Sequence, residues 1–228
     1  MPIVLLIRHG ESHANAGLPT AHPKTVKLTK KGLEQVETIP HALIKANLLP
    51  DLIIISSYAR SQQTAEPTIS TFPSIPQEEW PIHEFTYLSS WHAKHSTVHE
   101  RRAWVIEYWD NSDPTYIDAP GSDSESFEQF IARIEGVITR LKQVRQNIIA
   151  VFSHEQFICG LLWLLQRDQP ERTLVDATAM RDFRNFHHIH RIHNGAIVRV
   201  DLFDGPEYPV YEAITPHLTK KVHLSTPP

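Results

Sequence analysis

The chain has one cysteine and eight glycines among 228 residues, no surplus of positive charge, and no apolar run long enough to cross a bilayer. Each shortage excludes something. Cys159 on its own can form neither an internal disulfide nor a thiolate zinc cluster, so a reducing, cytoplasmic setting is expected. Residues 1–7 are apolar but stop at Arg8, too short for a signal peptide or a membrane span. With 22 Lys and Arg against 26 Asp and Glu, the formal charge is -4. There is no basic field for a nucleic-acid backbone, so neither nucleic acid nor membrane is an expected partner. So few glycines leave no Gly-x-Gly-x-x-Gly turn and no Walker loop; any phosphate bound here must be held by side chains. What the chain does have is 15 histidines, 17 prolines and enough apolar residues, 41%, for a sizeable core in one or two domains.

Three aliphatic, β-branched runs read as strands buried on both faces: Ile3-Val4-Leu5-Leu6-Ile7, Leu52-Ile53-Ile54-Ile55 and Ile148-Ile149-Ala150-Val151-Phe152. Segments with helical spacing follow each. This alternation predicts an α/β fold, a three-layer α/β/α sandwich with a mixed, mostly parallel sheet. Thr29 is a suitable N-cap for a helix over 30–46 that Pro40 should kink or split. Ser122 and Glu125 have capping-box spacing ahead of Phe127, Phe130, Ile131, Ile134, Ile138 and Leu141 on one helical face. Residues 155–167 read as a mostly buried helix, and Asn194-Gly195 as a type I′ hairpin turn. We expect one domain over 1–228. In it, an insertion at about 73–121, anchored by Trp80, Trp91, Trp104 and Trp109, covers the site. From about residue 205 the chain, rich in Pro206, Pro209, Pro216, Pro227 and Pro228, reads as a surface tail.

Ligands of open α/β sheets bind beyond the carboxyl ends of the strands. There the sequence places Arg8-His9, the segment from Ser56 to Arg60, and His154. Two guanidinium groups make a bidentate cradle for a dianion, and a neutral imidazole is a competent nucleophile toward phosphorus. With Arg and His supplying positive charge around the phosphoryl oxygens, the chemistry needs no metal.

These residues sit in recognisable motifs. Leu6-Ile7-Arg8-His9-Gly10-Glu11-Ser12, with Asn15 following, resembles the Arg-His-Gly signature of the histidine phosphatase (phosphoglycerate-mutase-like) superfamily. Leu28-Thr29-Lys30-Lys31-Gly32-Leu33-Glu34-Gln35 is similar to its Leu-Thr-x-x-Gly-x-x-Gln element. Ser56-Ser57-Tyr58-Ala59-Arg60-Ser61-Gln62-Gln63-Thr64-Ala65 is similar to its Ser-x-x-x-Arg-x-x-x-Thr-Ala element. Pro120-Gly121 with Glu125-Ser126, and Val151-Phe152-Ser153-His154, complete five motifs in order. The resemblance implies His9 as the nucleophile that becomes phosphohistidine. It gives Arg8, Arg60 and His154 as phosphoryl-binding and charge-stabilising residues, and Asn15 as a further hydrogen-bond donor to a phosphate oxygen. The implied proton donor is Glu84, in Pro81-Ile82-His83-Glu84-Phe85, with Glu78, Glu79 and Glu100 as rivals. Aromatic neighbours Trp80, Phe85 and Tyr87 would raise its pKa.

The chain also departs from the pattern. Glu155 follows His154 where the family commonly has glycine, which should make the pocket rim more acidic. Glu84 lacks the usual Gly-x-Trp-x-Gly sequel. The asparagine-rich and Arg-His-Tyr-Gly segments of cofactor-dependent phosphoglycerate mutases have no counterpart, which favours a phosphatase. The expectation is therefore a cofactor-free phosphomonoesterase acting on small phosphorylated metabolites, its oligomeric state left open. A mutase-type phosphotransferase and a non-catalytic phospho-ligand module are the alternatives. Of the other histidines, His187, His188, His190 and His193 read as a polar hairpin face rather than a metal site. His92, His95 and His99 read as a solvated helix face beside Arg101 and Arg102, and Cys159 as a buried, inert thiol.

Overall fold

The computed structural model describes residues 2–93, 96–167, 174–202 and 211–213. The three aliphatic runs form β1 (Ile3–Arg8), β2 (Leu52–Ser56) and β4 (Ile148–Ser153), and β3 is Gln77–Trp80. With β5 (Ile197–Asp201) and β6 (Tyr211–Ala213) they make a six-stranded sheet of order β3-β2-β4-β1-β5-β6. The β1/β4, β2/β4 and β2/β3 pairs are parallel, while β5 runs antiparallel to β1 and to β6.

The sheet is apolar on both faces because helices cover both. Val4, Leu6, Leu52, Ile54, Ile149, Val151, Val198 and Val200 face one core, completed by α5 (Arg102–Asn111), α6 (Phe127–Gln143), α7 (Glu155–Leu165) and α8 (Ala177–Ile189). The intervening residues Leu5, Ile7, Ile53, Ala150, Phe152 and Ile197 face a second core. This one is completed by α1 (Lys30–Val36), α2 (Ile39–Lys45) and α3 (Ala59–Thr71). Period-two alternation thus splits β1, β2, β4 and β5 between two helical layers, giving the expected three-layer sandwich.

Several local expectations change. The helix over 30–46 is indeed two, with Thr29 capping Gly32 N and Pro40 in the first turn of α2. The capping box is Ser126 with Gln129, not Ser122 with Glu125, whose carboxylate is taken by Arg133 and Thr86. Asn194-Gly195 closes no hairpin: the segment ahead of it is α8, and only Gly195 has positive φ, whereas a type I′ turn needs two such residues. His187 and His188 therefore lie in the last turn of a helix, and His190 caps it. Of the proposed 92–99 helix only α4 (Ser90–Ala93) forms; His99 lies in a turn and His95 outside the described residues. In the proline-rich tail, β6 joins the sheet, and the tail prolines lie outside the described residues. Trp80 and Trp109 are buried, whereas Trp91 and Trp104 are exposed.

Candidate active site

The parallel β1/β4 register pairs Arg8 with Ser153, so the residues just beyond the two strands, His9 and His154, meet. Their ring centroids are 5.1 Å apart at 62°. Arg60, in the first turn of α3 after β2, donates from Nε to His9 Nε2 at 3.0 Å. Arg8, His9, Arg60 and His154 are all buried.

The hydrogen bonds fix the His9 tautomer. His9 Nδ1 lies 2.7 Å from the Gly10 carbonyl oxygen, which can only accept, so Nδ1 carries the proton. Nε2 therefore presents a lone pair, the one that Arg60 contacts. Burial and the cations Arg60 and Arg8 push the His9 pKa well below the ordinary histidine value, which keeps the ring neutral. For His154, Nε2 is 2.9 Å from Ser56 Oγ, which itself accepts from Tyr58 N at 3.4 Å. This contact ties the ring to the end of β2, and either atom can be its donor. Burial, Arg60 and His9 hold the His154 pKa low as well. Among the described residues neither His154 Nδ1 nor Arg8 Nε has a hydrogen-bond partner, although the other Arg8 nitrogens reach the Ile192 carbonyl through Nη1 and Glu155 Oε2 through Nη2 at 3.0 Å. Buried donors are nearly always paired. An unpaired arginine N–H beside a neutral imidazole suits an anion.

The remaining motif residues hold this edge in place. Gly10 N donates to Thr64 Oγ1 at 3.2 Å, Glu11 N to Gln35 Oε1 at 2.8 Å, and Thr29 N to the Glu11 carbonyl at 2.8 Å. The loop after β1 presses so closely on α1 that a Cβ at Gly32 would stand 2.0 Å from the Glu11 oxygen. Gly32→Ala should therefore destabilise by about 2 kcal/mol or more, read as a fall in midpoint in thermal unfolding. Without that contact, alanine in a helix would instead stabilise by about 1 kcal/mol, so the sign of the shift decides. Asn15 Oδ1 accepts from Ser12 N, Ser12 Oγ and Asn194 Nδ2 at 2.9 to 3.2 Å, which turns its own amide N–H group outward.

A cavity of about 270 Å³ opens over His9. Arg8, His9, Asn15, Arg60 and Glu84 line its polar floor; Val26, Phe85, Tyr87, Leu88, Val98 and Val105 line much of the rest. His154 is not on its wall but lies against His9 and Tyr58. Glu84 Oε1 accepts from Phe85 N at 3.1 Å and from Gln156 N and Phe157 N of α7 at 3.0 and 3.3 Å. Because His154 makes no side-chain cap, Glu84 satisfies the α7 terminus from another part of the chain. Burial outweighs Arg60 and Arg8 and raises its pKa. Arg133 grips the Glu84 segment, donating to the carbonyls of Pro81 and His83 while pairing with Glu125, which accepts from Thr86. The rival carboxylates are elsewhere: Glu78 pairs with Arg140, Glu79 is exposed on β3, and Glu100 is exposed and accepts from Thr97.

Two residues carry more than sequence reasoning gave them. Asn194 Nδ2 donates to the carbonyls of His9 and Gly10 and to Asn15, so the Asn-Gly pair braces the loop that holds His9. Glu155 is not a free rim acid. It is buried, ion-paired with Arg8 and Arg191 and 3.6 Å from His187; burial pushes its pKa up, but the His187 contact and the two arginines outweigh this and hold it at about 2. Among the described residues, no group of three or more His, Cys, Asp or Glu is placed to hold a metal ion, and no helix is long and apolar enough to cross a membrane.

Comparison with known proteins agrees with this architecture. The family model of the histidine phosphatase superfamily (branch 1) matches residues 4–205. The chain is 33% identical over 169 residues to the adenosylcobalamin/α-ribazole phosphatase of Salmonella typhimurium, covering 70% of this chain and 75% of that protein. The solved α-ribazole phosphatase from Shigella flexneri has a TM-score of 0.69 at 20% identity, covering 97% of this chain and all of that one. A phosphoserine phosphatase from Entamoeba histolytica has a TM-score of 0.65, again at 20% identity, covering 92% of this chain and 95% of that one. At those identities the two structures show the fold, of phosphoglycerate-mutase-like type. Given the ordered motifs, the sheet that unites them and the match over most of its length, the chain belongs to the histidine phosphatase superfamily.

Proposed function

We propose that this protein hydrolyses phosphomonoesters through a covalent phosphohistidine at His9. The observation that carries the reading is the state of His9: neutral, protonated on Nδ1, with the Nε2 lone pair 3.0 Å from a guanidinium that an arriving phosphate would engage. Nε2 attacks phosphorus in line, forming the P–N bond as the P–O bond to the leaving group breaks. Arg8, Arg60 and the amide of Asn15 bind the phosphoryl oxygens, and His154 supplies a further donor beside His9. Glu84, protonated through its raised pKa, gives its proton to the leaving oxygen. Its carboxylate then takes a proton from the water that attacks phosphorus, releasing inorganic phosphate and restoring Nε2. Fixed arginines supply the charge that a metal would, so chelation by EDTA should leave the rate unchanged. Rapid quenching with a labelled aryl phosphate should trap label on the protein as a phosphoramidate, stable to base and lost in acid. Turnover with no such species overturns the covalent route.

The substrate is a phosphorylated metabolite with a bulky, partly apolar leaving group. The apolar half of the cavity formed by Val26, Phe85, Leu88, Val98 and Val105 supports this, as do the α-ribazole phosphatases among the relatives. We expect kcat/KM for α-ribazole 5′-phosphate to exceed that for phosphoserine or 3-phosphoglycerate by about tenfold or more. Equal or reversed preference removes this substrate class. Bisphosphate-primed phosphoglycerate isomerisation would show the mutase-type alternative instead, and phosphate binding without turnover the non-catalytic one. Residues 1–228 act as one domain in this reading, with the segment at about 73–121 as the part that recognises the leaving group. The lone buried Cys159 fits a reducing, cytoplasmic setting.

A further inference from the structure

We propose that Glu155 is a positioning residue for the phosphoryl site: it holds Arg8 by Nη2 and so leaves the Arg8 Nε–H turned over to the anion. The inference rests on the function proposed above. Arg8 follows directly on β1, and its guanidinium is fixed from two sides. Nη1 donates to the Ile192 carbonyl, and Nη2 lies 3.0 Å from Glu155 Oε2. Of the guanidinium's three nitrogens, Nε is buried with no partner among the described residues. The carboxylate is fixed in turn by Arg191, whose Nε donates to Oε1 at 2.6 Å, with His187 Nε2 at 3.6 Å. Both side chains of the Arg8–Glu155 pair are under one-tenth exposed, whereas that of Arg191 is more than half exposed. The exposed arginine compensates the carboxylate's charge, and the buried one is aimed by it. The position is the one immediately after His154, where glycine would leave Arg8 with no such partner.

Charge and position make opposite predictions here. A carboxylate beside an anion site weakens anion binding by repulsion, so a pure charge effect would tighten phosphate binding once the charge is removed. Positioning predicts the reverse order between a variant that keeps the shape and one that keeps the charge. Glu155→Gln discards the charge but keeps an oxygen within reach of Arg8 Nη2, while Arg191 can turn out into solvent. Glu155→Asp keeps the charge but withdraws the carboxylate by about 1.5 Å. The test measures inorganic phosphate binding by calorimetry and kcat/KM on an aryl phosphate for both variants, each also in an Arg8→Ala background. Glu155→Asp should weaken phosphate binding and lower kcat/KM by about tenfold or more, as misplaced binding groups do. Glu155→Gln should stay within about threefold on the same scale, and both effects should vanish without Arg8. If Glu155→Asp matches wild type while Glu155→Gln binds phosphate more tightly, Glu155 tunes charge only and positioning is refuted. Loss that persists in the Arg8→Ala background also refutes it. If Arg8→Ala alone leaves phosphate binding unchanged, the proposed phosphoryl site itself is wrong and this role falls with it.

Discussion

His9→Ala should lower kcat on an aryl phosphate by about 10⁴-fold or more, because it removes the atom that forms the intermediate rather than a group that assists it. Nothing near it can substitute. His154 Nε2 is engaged by Ser56, and the ring is not on the cavity wall. Arg60 has no lone pair to give, and the Glu84 oxygen Oε1 is committed to three backbone amides. The arginines and Asn15 remain, however, so inorganic phosphate should still bind. Arg60 Nε, which donates to His9, loses that acceptor in the variant and is left to the phosphate, so affinity should hold within a few-fold or improve. Stopped assays on the purified variant, with phosphate binding measured by calorimetry, give both numbers. Hydrolysis within about tenfold of wild type removes His9 as nucleophile. Intact hydrolysis combined with lost binding would make it a phosphate ligand instead.

That Arg8, His9, Arg60 and His154 come together was legible because they lie at or just beyond the ends of strands that the sequence marks plainly. Aliphatic runs buried on both faces leave no doubt about β1, β2 and β4, and their shared parallel register does the rest. What surrounds that centre was less legible, for two separate reasons. Some signals were present but outweighed. Asn194-Gly195 is a strong local turn cue, yet Ala179, Met180 and Phe183 already mark a buried helical stripe behind an Asp176 cap, which leaves no strand to complete a hairpin. Likewise Ser126 and Gln129 have the same spacing as Ser122 and Glu125 but sit directly against the apolar run. Other features had no local signal at all. Glu155 meets Arg191 across 36 positions, and Glu84 caps α7 across 72. Arg133 grips the Glu84 segment from a helix some fifty positions later. A solvated rim acid and a buried ion-pair partner look alike until the chain is folded, since a carboxylate so heavily paired is defined wholly by its neighbours.

Glu84→Gln should separate substrates by the quality of their leaving groups. The glutamine oxygen can still accept from Gln156 N and Phe157 N, so the α7 terminus keeps its cap and the fold should persist. What is lost is the transferable proton. For an alkyl phosphate, whose leaving alkoxide needs that proton, kcat/KM should fall by about 10²- to 10⁴-fold. For an aryl phosphate the first step needs little help, but the second still lacks its base. The variant should therefore release about one equivalent of phenol in a burst and then turn over slowly, with phosphoenzyme accumulating. The pH profile of the wild type follows from the same groups. His9 must be neutral, and because its pKa is lowered, that condition persists well below the ordinary histidine range. Glu84 must be protonated, and because its pKa is raised from 4.5, that condition extends upward and fails as pH climbs through the raised value. Between these limits kcat/KM on alkyl phosphates should peak, and it should decline toward alkaline pH as Glu84 loses its proton. In Glu84→Gln the alkaline limb attributable to Glu84 should disappear. Equal losses on alkyl and aryl substrates, without a burst, would assign proton transfer to another group and leave Glu84 as the cap of α7 alone.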